Sequence, residues 1–291
     1  MLGTLYLCPT PIGNLEDITL RVISTLKSAD LIAAEDTRHT QKLLNHFEIK
    51  TPLTSYHEHN KRDKGAVLLG KLQRGENIAL VSDAGTPAIS DPGEDLVRLC
   101  IENDIEVVPL PGATAVTTAL TASGLSTARF VFEGFLTTNK KQRRLHLESV
   151  KSDPRTLIFY EAPHKLKSTL ADMLEHFGDR RIVLARELTK KFEEFDRTTI
   201  SAAIEKYAEL APRGEFVLVV EGAKPIDNGQ LIIDNDGRIS ATKIVTEIQL
   251  KSELQSLITQ GLSGNDAAKQ LAKQYNLPKR EIYAIYLKIE E

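Results

Sequence analysis

Short apolar runs that stop abruptly in Gly- and Pro-rich loops, each followed by helical periodicity, recur through the first half of this chain. The clearest is Ile78-Ala79-Leu80-Val81, which ends in Ser82-Asp83-Ala84-Gly85-Thr86-Pro87-Ala88-Ile89-Ser90-Asp91-Pro92-Gly93 before a helical pattern starts at Glu94. In open α/β sheets, ligands bind just beyond the carboxyl ends of strands, where small residues let them approach the backbone. A turn in which Gly and Pro only satisfy geometry has much the same composition. The length of this loop, with two aspartates and two serines in it, favours a ligand site.

The same alternation runs along the chain. Residues 4–8 read as a buried strand, closed by Pro9-Thr10-Pro11-Ile12-Gly13-Asn14, which continues neither a ladder nor a helix. Ile18, Val22, Ile23 and Leu26 recur at helical spacing. Leu31-Ile32-Ala33-Ala34 is a second strand, ending in Glu35-Asp36-Thr37-Arg38, and a helix through Leu43, Leu44 and Phe47 follows. Extended residues 53–55 lead through Tyr56-His57-Glu58-His59-Asn60 into a helix with Val67, Leu68 and Leu72. After the central loop come a helix through Leu96, Val97 and Cys100, a strand over 105–109, the loop Leu110-Pro111-Gly112-Ala113-Thr114 and a helix of small residues over 115–122. Strands and helices alternating at this spacing predict a mostly parallel sheet covered on both faces.

Residues 124–129 read as a junction to a second α/β unit with four strands, over 130–132, 156–160, 181–185 and 216–220. Residues 224–238 are rich in Pro, Gly, Asp and Asn and read as a linker with a hairpin. Residues 241–291 are helical in pattern, with Ser263 as a cap and a turn at Asn276-Leu277-Pro278. That arrangement resembles a helix-turn-helix. Its nearly balanced charge fits a structural helical hairpin equally well. The expected domains are therefore 1–123, 124–224 and 241–291, with a linker over 225–240.

Composition narrows the function. With 41% apolar and 26% charged residues and a net charge of −3, bulk electrostatics does not attract nucleic acid, so any phosphate contact must come from local basic patches. Two cysteines, Cys8 and Cys100, are too few for a disulfide framework or a cysteine-rich metal site. The first residues lack a signal-peptide pattern and no apolar segment approaches the length of a membrane span, so a cytoplasmic location is expected. There is no Gly-x-x-x-x-Gly-Lys-Ser/Thr loop, no Gly-x-Gly-x-x-Gly after the first strand and no Gly-x-Ser-x-Gly elbow, and the histidines lack metal-ligand spacing. A transferase whose cofactor brings its own reactivity is left open by these absences.

Four strand-end loops remain: 9–14, 35–38, 82–91 and 111–114. On a parallel sheet all four lie along one edge. The runs Pro9-Thr10-Pro11-Ile12-Gly13-Asn14-Leu15-Glu16-Asp17, Ala34-Glu35-Asp36-Thr37-Arg38, the central loop and Phe159-Tyr160-Glu161-Ala162-Pro163-His164 resemble the tetrapyrrole methylase superfamily. Ala84-Gly85-Thr86-Pro87 stands where tetrapyrrole enzymes usually carry Gly-Gly-Asp-Pro, so the substrate need not be a tetrapyrrole. The resemblance implies two α/β domains with an S-adenosylmethionine cleft between them, a small all-helical C-terminal domain and a homodimer. It implies 2′-O-methylation of a cytidine in small-subunit ribosomal RNA, free or in the assembled subunit. It carries cofactor contacts onto Pro11, onto Asp83, Ala84, Gly85, Thr86 and Ile89, and onto Thr114, Ala115, Tyr160, Glu161, Gly214 and Glu215. A methyltransferase acting on a tetrapyrrole or another small acceptor and a non-catalytic RNA-binding assembly factor are the alternatives.

For the chemistry, a base near the ribose hydroxyl is expected, and Asp36 at a strand end is the candidate, with Arg38 holding a neighbouring phosphate. Asp36 is equally placed to cap the helix that follows it. RNA contacts are expected at Lys140, Lys141, Arg143 and Arg144, which follow a strand end, and at Lys61 and Arg62. Solvated surface is the competing reading of each basic pair.

Overall fold

The computed structural model describes residues 1–224, 232–233, 239–240, 247–259, 262–275 and 278–290. In the first sheet, β1 (Thr4–Leu7), β2 (Leu31–Ala34), β3 (Leu53–Ser55), β4 (Ile78–Val81) and β5 (Glu106–Pro109) run parallel in the order β3-β2-β4-β1-β5. β1 lies between β4 and β5, with Leu5 opposite Ile78 on one side and Val107 on the other. The helices cover it face by face. α1 (Leu20–Ser28) and α2 (Thr37–His46) bury Val22, Leu26 and Leu44 against Ile32, Ala34, Ala79 and Val81. On the opposite face, α3 (Lys61–Gln73) and α4 (Glu94–Glu102) bury Leu68, Leu72, Leu96 and Cys100 against Leu5, Ala33, Ile78 and Leu80. Strands buried on both faces account for apolar runs that do not alternate.

The second sheet is mixed, in the order β6-β7-β10-β8-β9. β6 (Phe130–Phe135) pairs parallel with β7 (Thr156–Glu161), and β10 (Phe216–Val220), β8 (Arg181–Arg186) and β9 (Glu194–Thr199) follow antiparallel. The expected four strands are present, and β9 is a fifth. Its sequence, Glu-Phe-Asp-Arg-Thr-Thr, lacks an apolar face because it is an edge strand, where charge guards against further pairing. Lys206 of α8 (Ile200–Glu209) holds it by ion pairs to Glu194 and Asp196, both 2.9 Å.

One expected boundary moves. α5 (Ala115–Ser123) was assigned with the first sheet, yet Val116, Ala119 and Leu120 pack on Ile158, Val183, Ala185, Val217 and Val219 of the second. By packing, the border falls between β5 and α5 rather than after residue 123. Both sheets belong to one unit, Met1–Gly222.

The second unit, Ala223–Glu291, contains a short antiparallel pair, β11 (Ile232–Ile233) with β12 (Ile239–Ser240), and helices α9 (Glu247–Thr259), α10 (Gly264–Tyr275) and α11 (Lys279–Glu290). Leu250, Leu254, Ala267, Ala268, Leu271 and Ile282 form its core. Ser263 caps α10 as expected, its Oγ accepting from the Asp266 N–H at 3.1 Å. Most of the expected linker, and residues 276–277 of the expected turn, lie outside the described residues.

The basic segment proves to be a packed helix, α6 (Lys140–Val150). Asn139 caps it, and Leu147 enters the second sheet's core beside Leu166, Leu170 and Met173 of α7 (Leu166–Phe177). Arg143 is buried, its guanidinium 2.5 and 2.6 Å from Asp172 Oδ2. Arg144 leans over Glu175 at 2.5 Å. Arg143 is therefore held in a structural ion pair, and of the four α6 residues expected to meet RNA, Lys140 and Lys141 are the exposed ones. Breaking a buried pair from one side strands the other charge, at a cost of about 3–5 kcal/mol. Arg143→Ala is expected to lower unfolding stability in urea by that amount, while Lys140→Ala and Lys141→Ala leave the midpoint unchanged.

Candidate functional site

Parallel direction puts the carboxyl ends of β1, β2, β4 and β5 on one edge, and short polar contacts stitch the loops that leave it. The Thr10 N–H donates to the Gly85 carbonyl at 2.9 Å, and the Gly85 N–H returns to the Thr10 carbonyl at 3.0 Å. The Thr10 hydroxyl donates to the Ser82 carbonyl at 3.1 Å, and the Thr86 hydroxyl to that of Ala113 at 3.1 Å. Asp83 Oδ1 accepts the Asp36 N–H at 2.9 Å, tying the second loop in. Gly85 sits at φ +85°, a left-handed conformation that a side chain resists. Ala88, Ser90, Glu187 and Thr189 adopt left-handed φ without being glycine. Such strain, about 1–3 kcal/mol each, persists where surrounding structure enforces it, typically at ligand sites.

The facing wall comes from the second sheet. A Cβ on Gly13 would lie 2.5 Å from Lys190 Cγ and 2.9 Å from the Leu188 carbonyl oxygen, so only glycine lets these two walls meet. Lys190 Nζ bridges Glu187 at 3.0 Å and Glu215 at 2.9 Å. The Glu215 N–H in turn donates to Glu187 Oε1 at 3.0 Å.

Two adjoining cavities result. The first, of about 380 Å³, is lined by Asp83, Ala84, Gly85, Thr86, Ile89, Thr114, Ala115, Tyr160, Glu161 and Glu215, all expected cofactor residues. The second, of about 560 Å³, is lined by Pro11 and by residues of the first loop and α2. Ile12, Asp83, Ala84, Lys190 and Glu215 line both. Gly214 lines neither; it sits at φ +78° under the Glu187 side chain, leaving room for it. Glu161 is buried and already engaged, accepting from the Thr169 hydroxyl at 2.5 Å and the Ala162 N–H at 2.8 Å. Burial pushes the Tyr160 hydroxyl up to about 12, against hydrogen bonding to Thr114 and the Val116 backbone.

Glu35 and Asp91 also line the first cavity, and neither was assigned a role from sequence. Burial raises the Asp91 carboxyl to about 7, with the Glu35 and Asp83 charges adding and a Ser82 hydrogen bond opposing. Glu35 is raised as well, chiefly by burial and then by Asp83. Asp36 is the opposite case. Its Oδ1 caps α2 by accepting the Arg38 N–H at 2.8 Å, and its Oδ2 accepts from Arg38 Nη2 at 2.9 Å. These bonds from Arg38 hold its carboxyl down to about 2. Neither Asp36 nor Arg38 lines either cavity. A carboxylate so stabilised is a weak base, so capping, the competing reading, accounts for Asp36 better.

The expected RNA residues divide similarly. Lys61 pairs with Glu58 at 2.8 Å and Asp95 at 2.7 Å, joining the start of α3 to that of α4, while Arg62 is exposed. None of Lys61, Arg62, Lys140, Lys141, Arg143 and Arg144 lines either of these two cavities.

With this geometry established, three comparisons bear on identity. A protein of Synechocystis sp. named ribosomal RNA small subunit methyltransferase I is 51% identical over 290 residues, covering 99% of each chain. One of the same name from Halalkalibacterium halodurans is 52% identical over 284 residues, covering 98% of this chain and 94% of the relative. The crystal structure of uroporphyrin-III C-methyl transferase from Thermus thermophilus, complexed with S-adenyl homocysteine, superimposes with a TM-score of 0.54 at 17% identity, over 74% of this chain and 97% of that one. At that identity the likeness establishes the fold. Residues 4–204 match the family Tetrapyrrole (Corrin/Porphyrin) Methylases, and the chain belongs to that family.

Proposed function

We propose that this protein transfers the methyl group of S-adenosylmethionine to the 2′-hydroxyl of a cytidine ribose in small-subunit ribosomal RNA. The observation that carries the reading is identity of about half, over nearly the whole length, with relatives named for ribosomal RNA methylation. That identity spans the helical unit beyond the family match at residue 204, which favours a macromolecular acceptor over a tetrapyrrole. The partners follow from it: the RNA itself or the assembled small subunit, met in the cytoplasm, with a second copy of the chain completing a homodimer.

The first cavity fits the cofactor. Ala84, Gly85 and Ala115 keep its wall low, and Glu35, Asp83 and Asp91 give it an acidic surface suited to a ligand bearing ammonium and sulfonium charges. When bound, the cofactor supplies a methyl group that its sulfonium makes electrophilic. The chain's own work is to align the acceptor oxygen, exclude water and receive a proton. The proton-accepting role passes from Asp36 to Asp83, which lines both cavities; Glu215, the other carboxylate shared by them, is paired with Lys190 at 2.9 Å. Exposed Arg38, Arg62, Lys140 and Lys141 are left for phosphate contacts.

Three outcomes test this reading. Incubation with labelled S-adenosylmethionine is expected to mark small ribosomal subunits or their RNA, and nucleoside mass spectrometry to find 2′-O-methylcytidine; label on a precorrin-type ring, or on a base, would sink it. Asp83→Asn is expected to lower kcat about a hundredfold or more, whereas Asp36→Asn keeps turnover within a few-fold and loses only thermal stability. Equal losses in both variants would return the role to Asp36.

The raised Asp91 carboxyl gives the third. Below pH 7 it is mostly protonated in the free protein, and a cationic ligand favours its charged form, so binding there must release a proton. Affinity for S-adenosylmethionine is expected to rise with pH through about 7 and then level off. S-adenosylhomocysteine, without the sulfonium, is expected to show a shallower rise. Calorimetry in buffers of different ionisation enthalpy reads the released proton, and Asp91→Asn removes it.

A further inference from the structure

Of the expected cofactor contacts, Pro11 lines only the second cavity and Asp83, Ala84 and Glu215 lie on the wall shared with the first, which leaves the rest of the second cavity without an assigned ligand. It is bounded by the first loop and by His39, Thr40, Lys42 and Leu43 of α2, and it adjoins the first cavity at Asp83 and Ala84. Thr40 supplies an independent sign of a ligand. The residue is 2% exposed, it lines the cavity, and its hydroxyl has no hydrogen-bond partner in the structure. A buried helical threonine ordinarily returns its hydroxyl to a backbone carbonyl one turn earlier, and an unmet buried hydroxyl is costly. His39 and Lys42 stand beside it, both exposed, and neither forms an ion pair among the described residues.

We propose that this cavity receives the acceptor as a single ribonucleotide drawn out of its stack, with the ribose against the wall shared at Asp83 and Ala84. His39 and Lys42 meet its phosphates, and the Thr40 hydroxyl meets a polar group of the nucleotide. The assignment rests on the RNA reading above. The volume of about 560 Å³ admits one nucleotide and excludes a helix, so a base-paired target has to be extruded. The ribose 2′-hydroxyl is the group by which such a pocket distinguishes RNA from DNA. In the transfer, the 2′ oxygen forms the new C–O bond and the C–S bond breaks with its electron pair staying on sulfur. The hydroxyl proton passes to the Asp83 carboxylate.

The test compares wild-type protein with Thr40→Val, which keeps the shape and removes the hydroxyl, and Lys42→Ala, an exposed change that leaves the fold intact. Methyl transfer from labelled S-adenosylmethionine to small ribosomal subunits is followed over a range of subunit and salt concentrations, with cofactor Kd measured separately by calorimetry. Thr40→Val is expected to raise KM for the subunit about tenfold with cofactor Kd unchanged within twofold. Lys42→Ala is expected to raise KM and to flatten its salt dependence. Unchanged KM in both variants overturns the assignment, and so does a loss of cofactor affinity that matches the loss of turnover. A wild-type protein that labels neither subunits nor ribosomal RNA fails at the first step and overturns the RNA reading together with this occupant.

Discussion

The site depends on one reciprocal pair of backbone hydrogen bonds, between Thr10 and Gly85. β1 and β4 are parallel neighbours, so their following loops leave the same edge side by side. Left alone, two such loops would diverge towards their own helices. The pair closes them into one surface, and Gly85 permits it by taking a conformation that other residues adopt at a cost. The Thr10 and Thr86 hydroxyls extend the join to the Ser82 and Ala113 carbonyls. Loops anchored in this way present preformed walls, which spares a ligand part of the ordering entropy that binding would otherwise require.

The facing wall is tied in by charge and by absence of a side chain. Lys190 between Glu187 and Glu215 fixes the loop after β8 to the start of β10, and Gly13 lets that loop lie against the first one. α5 completes the arrangement. It begins at the end of the fourth loop, where Thr114 and Ala115 line the first cavity, and it ends packed on the second sheet. A helix that starts in the site and is buried in the opposite sheet couples the position of the two halves to the shape of the cavity between them.

Much of the framework was legible in sequence because it rests on local pattern. Apolar runs without alternation marked β2 and β4, the Ser263 cap followed ordinary preferences, and strand-end loops pointed to the cavity-lining residues. What escaped depended on distant partners. β9 is polar because it is an edge, and α5 carries no sign in its own sequence of which sheet it will cover. Arg143 looks like part of a basic surface until α7 brings Asp172 beneath it, 29 residues later. Lys190 likewise carries no sign in its own sequence of the two carboxylates it serves.

Glu35 and Asp36 show the limit most clearly. They are adjacent, chemically alike and at the same strand end, and their surroundings push them in opposite directions. Asp36 sits at the start of α2, where one N–H and one guanidinium stabilise its charge. Glu35 turns into the cavity towards Asp83 and Asp91, where burial and like charge disfavour ionisation. Carboxylates whose environments separate them divide naturally into structural and chemical duties. A carboxylate already bonded to an arginine gains little from a proton or a cationic ligand. One crowded among its own kind gains from either, and the crowded set is the one that faces the cavity.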